Sequence, residues 1–144
     1  MAAEFLRNDV QTVAVNNPVL LDTAIGCNRG YVYHRPESGI LILRGIVNNP
    51  CANFATYQVT FNGNIALSTG SAVGPISIAL AIDGEPIPTS QAIVTPAAVG
   101  DFFNVTSTAI IQVPKGCCFN VSVENVSAVS IDVQNSNLVV DRIA

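Results

Sequence analysis

Residues 57–88 read YQVTFNGNIALSTGSAVGPISIALAIDGEPIP, and this stretch decides the fold. Tyr57, Val59 and Phe61 alternate with polar residues, which is the two-residue period of a β-strand with one buried face. Isoleucine and leucine alternate in the same way over residues 76–82. Asp83-Gly84 then supplies the residue pair that favours a tight hairpin turn. The polar positions carry mostly hydroxyls and amides, so the stretch predicts a packed β surface and no catalytic centre.

Short alternating segments of this kind occur along most of the chain. Prolines and glycines separate them, and Asn-Asn-Pro at residues 16–18 and 48–50 ends a strand each time because proline cannot join a ladder. Asn62-Gly63 is either a hairpin turn or a bulge inside one long strand. Turns are expected at residues 26–30 and 35–39. About ten strands at even spacing, with no helical period, predict an all-β antiparallel fold, either a β-sandwich or a jelly roll.

The chain divides into two predicted parts. Residues 1–24 form an N-terminal arm and a first strand, and residues 25–144 form the jelly-roll domain. The arm, up to about Asn8, either docks its apolar residues on a neighbouring molecule or is a frayed end. It lacks the basic start and apolar run of a signal peptide, and no apolar stretch approaches the ~18 residues of a membrane span. We therefore expect synthesis and folding in a cytoplasm.

The chain carries unusually little charge. Charged residues make up 11% of the 144 residues, against a usual share of about 25%, while hydrophobic residues make up 49%. Two explanations are open: outer faces covered by Ser, Thr and Asn, and an oligomer that hides part of each subunit. We expect both. The formal net charge is −4 and the six basic residues are scattered, which argues against nucleic acid and anionic membranes as partners.

No residue pattern in the chain supports catalysis. His34, the single histidine, has no nucleophile motif around it and is interpreted as a surface or edge residue. Asp83 and Glu85 resemble paired acid/base carboxylates, but an Asp-Gly pair between strands is better explained as a turn. Neither a phosphate-binding glycine loop nor a metal-ligand spacing is present. We expect no enzyme activity, no cofactor and no metal.

The four cysteines are Cys27, Cys51, Cys117 and Cys118. We interpret them as small buried hydrophobes, with a disulfide and a zinc site as the less favoured alternatives. Because neighbouring strand residues point to opposite faces, we expect one of Cys117 and Cys118 in the core and the other exposed.

Four segments together resemble a known family. They are YQVTFNGNIAL at residues 57–67, GPISIALAID at 74–83, IIQVPKGCCFNVSV at 110–123 and NLVVDRI at 137–143. The combination is similar to the tumour-necrosis-factor-like jelly rolls, which include complement-type globular heads. It looks closest to the bacterial and phage branch found in spore-surface heads and virion fibres. The resemblance covers roughly residues 40–144, and the chain lacks the collagen-like stalk that such heads usually carry.

The resemblance implies an assembly and a function. Members of this family are usually compact trimers whose inner sheets meet at a three-fold axis, so the implied assembly is a homotrimer. The implied interface residues are Tyr57, Val59, Phe61, Leu138 and Val140. The implied function is that of a structural protein of a bacteriophage virion, bound to capsid or other virion proteins as a decoration or as a head or tail fibre tip. The alternative is a receptor- or glycan-binding head on a phage tail or on a bacterial or spore surface.

Overall fold

The computed structural model describes residues 2–25, 30–35 and 37–144. Its strands are β1 Ala2–Arg7, β2 Gln11–Val13, β3 Thr23–Ile25, β4 Val32–His34, β5 Leu41–Arg44, β6 Phe54–Leu67, β7 Ile76–Ile82, β8 Glu85–Pro86, β9 Ala92–Val94, β10 Phe103–Pro114, β11 Cys118–Asn125 and β12 Ile131–Arg142. Within the described ranges the only helical segment is a 3₁₀ turn at Pro88–Ser90. The predicted all-β fold is confirmed.

The strands form two antiparallel sheets packed face to face. Sheet I has the order β10-β6-β12-β1-β3, with β2 paired to β12, and sheet II has the order β4-β5-β11-β7-β8, with β9 paired to β7. The last strand, β12, lies between the first strand and β6, so each sheet joins strands that are distant in the sequence. This long-range pairing is the topology of a jelly roll.

The core lies between the two sheets. The alternating apolar residues of β6 meet those of β7 there, and Tyr57, Phe61, Ile78 and Leu80 have no exposed surface. On β7 the intervening Ala79 and Ala81 are buried as well, so this strand is covered on both faces. Burial on both sides explains why the sequence of β7 is almost wholly apolar.

The predicted interface residues need correction. Tyr57, Val59, Phe61, Leu138 and Val140 are all fully buried between the sheets of their own subunit. They therefore have no surface with which to contact a second copy. Alternation correctly predicted that the β6 residues share one face of a sheet, but that face meets the opposing sheet of the same molecule.

The N-terminal arm is also corrected. Strand β1 pairs with β12 in six consecutive residue pairs, from Ala2 opposite Asp141 to Arg7 opposite Ser136, and Phe5 is buried in the core. Val19 and Leu21 belong to the same core. Residues 2–24 are thus part of the sandwich, and the boundary predicted at residue 24 separates no independent unit.

Of the two predicted glycine turns, one is present and the other is not. Asp83 (φ 52°) and Gly84 (φ 84°) both adopt left-handed backbone conformations between β7 and β8, which confirms the tight hairpin. Asn62-Gly63, by contrast, lies inside the continuous strand β6, so its hairpin alternative is wrong. A bulge is present at this point, but its extra residue belongs to β12, between Gln134 and Asn137.

The predicted turn at residues 35–39 is present, because the Ser38 amide donates to the Arg35 carbonyl over 3.1 Å. Of the predicted turn at residues 26–30, only Gly30 lies within the described residues. No helix in the described part of the chain is long and apolar enough to cross a membrane.

Candidate functional site

The outer face of sheet I, defined as the side turned away from the core, is polar but nearly uncharged. On β6 and β10 it presents amides and hydroxyls at the positions that alternate with the core residues. These outward residues are Gln58, Thr60, Asn62, Asn64, Asn104, Thr106, Thr108 and Gln112. The charged residues at outward positions of β1 and β12 are the carboxylates Glu4, Asp132 and Asp141.

Many of these polar groups already bond to one another. The Asn104 side-chain amide donates to the side-chain oxygens of Asn62 (3.0 Å) and Asn64 (3.2 Å), and the Thr106 hydroxyl donates to Asn62 over 3.0 Å. The hydroxyls of Thr60 and Thr108 lie 3.0 Å apart. Polar groups that already have partners lose little when water is removed. Another protein surface can therefore cover this face at low desolvation cost.

Apolar side chains flank the polar ladder. Ile25, Ile110 and Ile143 are each more than half exposed. At Ile25 a shallow hollow of about 310 Å³ is lined by Ala2, Ala3, Glu4, Ile25 and Val139. The face therefore combines satisfied polar groups with apolar area, which is the composition of a protein–protein interface.

A second apolar surface lies at one edge of the sandwich. We call it the apolar edge and define it by Ile93 of β9, Val99 and Phe102 of the following loop, and Phe103 of β10. All four are exposed, Ile93 to 63%. The face and the edge are different patches on one subunit, so contact between them is heterologous and generates a ring when the rotation closes.

The outer face of sheet II carries a separate concave surface, which we call the sheet II hollow. It has a volume of about 390 Å³ and is lined by Pro18, Ile40, Asp83, Gly84, Asn120, Ser122 and Glu124. Burial raises the pKa of the Glu124 carboxyl, and the negative charge of Glu85 raises it further. Local sequence patterns do not reveal this hollow, because its lining residues come from four separate segments.

The residues singled out for catalysis have structural roles. His34 Nε2 lies 2.8 Å from the Ser38 carbonyl oxygen, and its ring packs on Phe5 at a centroid distance of 5.0 Å. Asp83 accepts a hydrogen bond from the Asn120 amide (3.0 Å), which fixes its turn against β11. Within the described ranges no group of three or more His, Cys, Asp and Glu residues is arranged to hold a metal ion.

The cysteines differ from the sequence interpretation. Cys51, Cys117 and Cys118 are free and exposed, so the buried interpretation is wrong for these three, and Cys27 lies outside the described residues. Cys117 precedes β11, in a turn closed by its amide donating to the Pro114 carbonyl over 2.9 Å. Strand alternation was expected to bury one of Cys117 and Cys118. It does not apply to this pair, because Cys117 lies in the turn before the strand.

Sequence comparison gives no relatives, because no protein-family model and no curated protein matches the chain. Comparison of structures, by contrast, finds similar proteins. Eiger TNF from S. frugiperda superposes with a TM-score of 0.67 at 15% identity, covering 100% of this chain and 92% of that one. The globular domain of a zebrafish complement 1qA protein gives a TM-score of 0.60 at 15% identity, with 94% of each chain covered. Murine APRIL gives 0.56 at 8% identity, with 97% of each covered.

These similarities establish the class of fold. The chain is a TNF- and C1q-like jelly roll, and this part of the sequence-based resemblance is confirmed. The three neighbours come from animals, so the bacterial and phage part of the resemblance stays a prediction.

Proposed function

We propose that the protein is a non-enzymatic structural and interaction protein that acts as a homotrimeric jelly-roll head on a bacteriophage virion. It is made in the bacterial cytoplasm and, in the assembled particle, either decorates the capsid or ends a head or tail fibre. The observation that carries the proposal is the pair of complementary surfaces on one subunit. These are the nearly uncharged, internally bonded outer face of sheet I and the apolar edge.

The proposed trimer places the apolar edge of one subunit on the outer face of sheet I of the next. Phe103 and Ile93 on the edge then cover apolar area around Ile110 and Val139. Standard interfaces bury roughly 800 Å² per partner and have few charges at their centre. The β6 and β10 part of this face carries no charged residue. The number three comes from the family resemblance, and the low overall charge is consistent with it.

The absence of enzymatic activity is part of the proposal. His34 Nε2 is hydrogen-bonded to a backbone carbonyl, and Asp83 is held in a turn by a backbone amide. Among the described residues, neither side chain is hydrogen-bonded to a serine, threonine or cysteine side chain, so surface recognition is the better-supported activity.

The assembly is tested by light scattering coupled to gel filtration. The native protein should have a mass of about 45 kDa, three times the 15.1 kDa subunit, since a standard-size interface holds at micromolar concentration. Ile110→Lys should yield folded monomer, because an unpaired ammonium at the centre of the contact would be desolvated. Tyr33→Lys is the matched control: it introduces the same charge at a residue of similar exposure on the other sheet. A native monomer would overturn the trimer.

The role on the virion is tested by copy number. A decoration protein should be abundant in purified particles and should bind empty capsids, whereas a fibre tip should be present in few copies. Densitometry of stained gels separates these outcomes. Absence of the protein from purified virions would contradict the proposal.

A further inference from the structure

Backbone hydrogen bonds hold two sides of the sheet II hollow. On one side residues 16–19 are bonded along β11, where the Asn16 amide donates to the Asn125 carbonyl (2.9 Å) and the Val19 amide to the Val123 carbonyl (2.7 Å). On the other side the Asp83 amide donates to the Asn120 carbonyl over 2.7 Å. These two sides of the hollow are therefore formed within the subunit itself.

The floor of the hollow contains an unused hydroxyl. Ser122 lies on β11 between Asn120 and Glu124 and is only 6% exposed. Its hydroxyl makes no hydrogen bond with any residue that the structure describes. Because Ser122 lines the hollow, its hydroxyl is available to a group that enters it.

Three carboxylates lie in or beside the hollow, and none of them forms an ion pair with a described residue. Asp83 and Glu124 line it, and the charge of Glu85 acts on Glu124. Among the described residues the one ion pair of the chain joins Arg7 to Asp22, so none of these three carboxylates is paired. A cation entering the hollow would reduce the repulsion between Glu85 and Glu124.

The geometry favours an organic cation with an aliphatic stem. Pro18 and Ile40 add apolar surface to the carboxylates and amide of the lining. No three-residue His, Cys, Asp and Glu group in the described ranges is arranged for a metal ion. Lysine and arginine side chains combine a methylene stem with a charged head, which matches a site that is apolar on one side and acidic on the other.

We propose that the sheet II hollow binds a lysine or arginine side chain on the surface of a partner protein. The charged head lies between the carboxylates of Asp83 and Glu124 and donates to the Ser122 hydroxyl, and the stem packs on Pro18 and Ile40. The inference deepens the proposed function, since it rests on the protein being an interaction head. It does not require three subunits, because every lining residue comes from one chain.

The test uses the full-length ¹⁵N-labelled protein and follows its amide resonances. The probes are Nα-acetyl-lysine methylamide and Nα-acetyl-arginine methylamide. At least one should give saturable shifts at Asn120, Ser122 and Glu124, with a dissociation constant on the order of millimolar for an isolated side chain. Nα,Nε-diacetyl-lysine methylamide has the lysine stem without the charge and should give no saturable shift at these amides.

Two substitutions establish the role of charge in the hollow. Glu124→Gln should raise the dissociation constant by about tenfold, because a charge-assisted hydrogen bond is lost. Asp101→Asn removes the same charge from an exposed loop residue and should leave the constant unchanged. The unshifted resonances of each variant report that it is folded.

Several results would overturn the inference. They are the absence of saturable shifts with both cationic probes, equal shifts with the diacetylated probe, and equal weakening by the two substitutions. Shifts at these amides with calcium chloride or N-acetylglucosamine, but with neither cation, would assign the hollow to a metal or a saccharide instead. Light scattering on the same sample shows the subunit number, so failure of the trimer and failure of the hollow are distinguishable.

Discussion

Tyr57 shows how a single side chain links the two sheets. Its hydroxyl donates to the Arg44 carbonyl (2.6 Å) and lies 3.2 Å from the Tyr31 carbonyl, while the Arg142 guanidinium lies 4.2 Å from the centre of the Tyr31 ring. Burial raises the pKa of Tyr57, and the positive charge of Arg142 opposes that rise. Sequence alternation predicted the buried ring, but the partners of the hydroxyl are 13 and 26 residues away and could not be predicted.

Tyr57→Phe should lower the free energy of unfolding by about 1–3 kcal/mol, because the Arg44 carbonyl loses the donor that the hydroxyl supplies while the ring still packs. Denaturant unfolding measures the loss, and Tyr33→Phe, at an exposed position, should change it little. The pKa of folded Tyr57 is raised, so its contribution is fully present below the unfolded pKa of about 10 and is lost as the pH rises through the folded value. The stability difference between native protein and Tyr57→Phe should therefore shrink above that pH.

The exposed thiols give a second prediction at this scale. Cys51, Cys117 and Cys118 should all react with a thiol reagent in the folded, reduced protein, because exposure controls access. Mass spectrometry of the alkylated protein identifies the modified residues. Protection of these three until denaturant is added would restore the buried interpretation.

At the scale of elements, the length of the alternating pattern decided what could be predicted. The alternation of β6 and β7 is clear in the sequence, whereas that of β12 is interrupted by its bulge. Strand β1 was missed because six residues of mixed character give no clear period. Its place is set by pairing with β12, 129 or more residues away, which local pattern does not reveal.

Deleting residues 1–9 should destabilise the fold, since the deletion removes β1 and exposes the edge of β12. The milder Phe5→Ala should lower the free energy of unfolding by about 3–5 kcal/mol, because it leaves a cavity in the core. Leu6→Ala, on the outer side of the same strand, should cost much less. A truncated protein with native stability in denaturant would instead support the interpretation of these residues as a separate arm.

At the scale of the whole molecule, the two candidate surfaces differ in charge. On β6 and β10 the outer face of sheet I carries no charged residue, whereas the sheet II hollow is acidic, so salt should act on them differently. The fold class was predictable from strand spacing, but neither surface was. Alternation shows which residues share a face of a strand without showing what that face meets, and the hollow is assembled only when distant segments fold together.

Raising sodium chloride to 1 M should leave the mass of the proposed trimer unchanged in light scattering, because screening does not weaken apolar contacts. The same salt should weaken binding of the lysine probe to the hollow, since that contact is electrostatic. Dissociation of the trimer at high salt would show that charges, and not the face described, hold the subunits together.

The pairing of β1 with β12 also has a mechanical consequence. Ala2 lies opposite Asp141, so the outer ends of the two strands meet at one pole of the sandwich. Tension applied between these two points would unzip the six residue pairs one after another, and would not shear them all at once. A load on the protein would be borne better through the broad faces of the sheets than through these two strand ends.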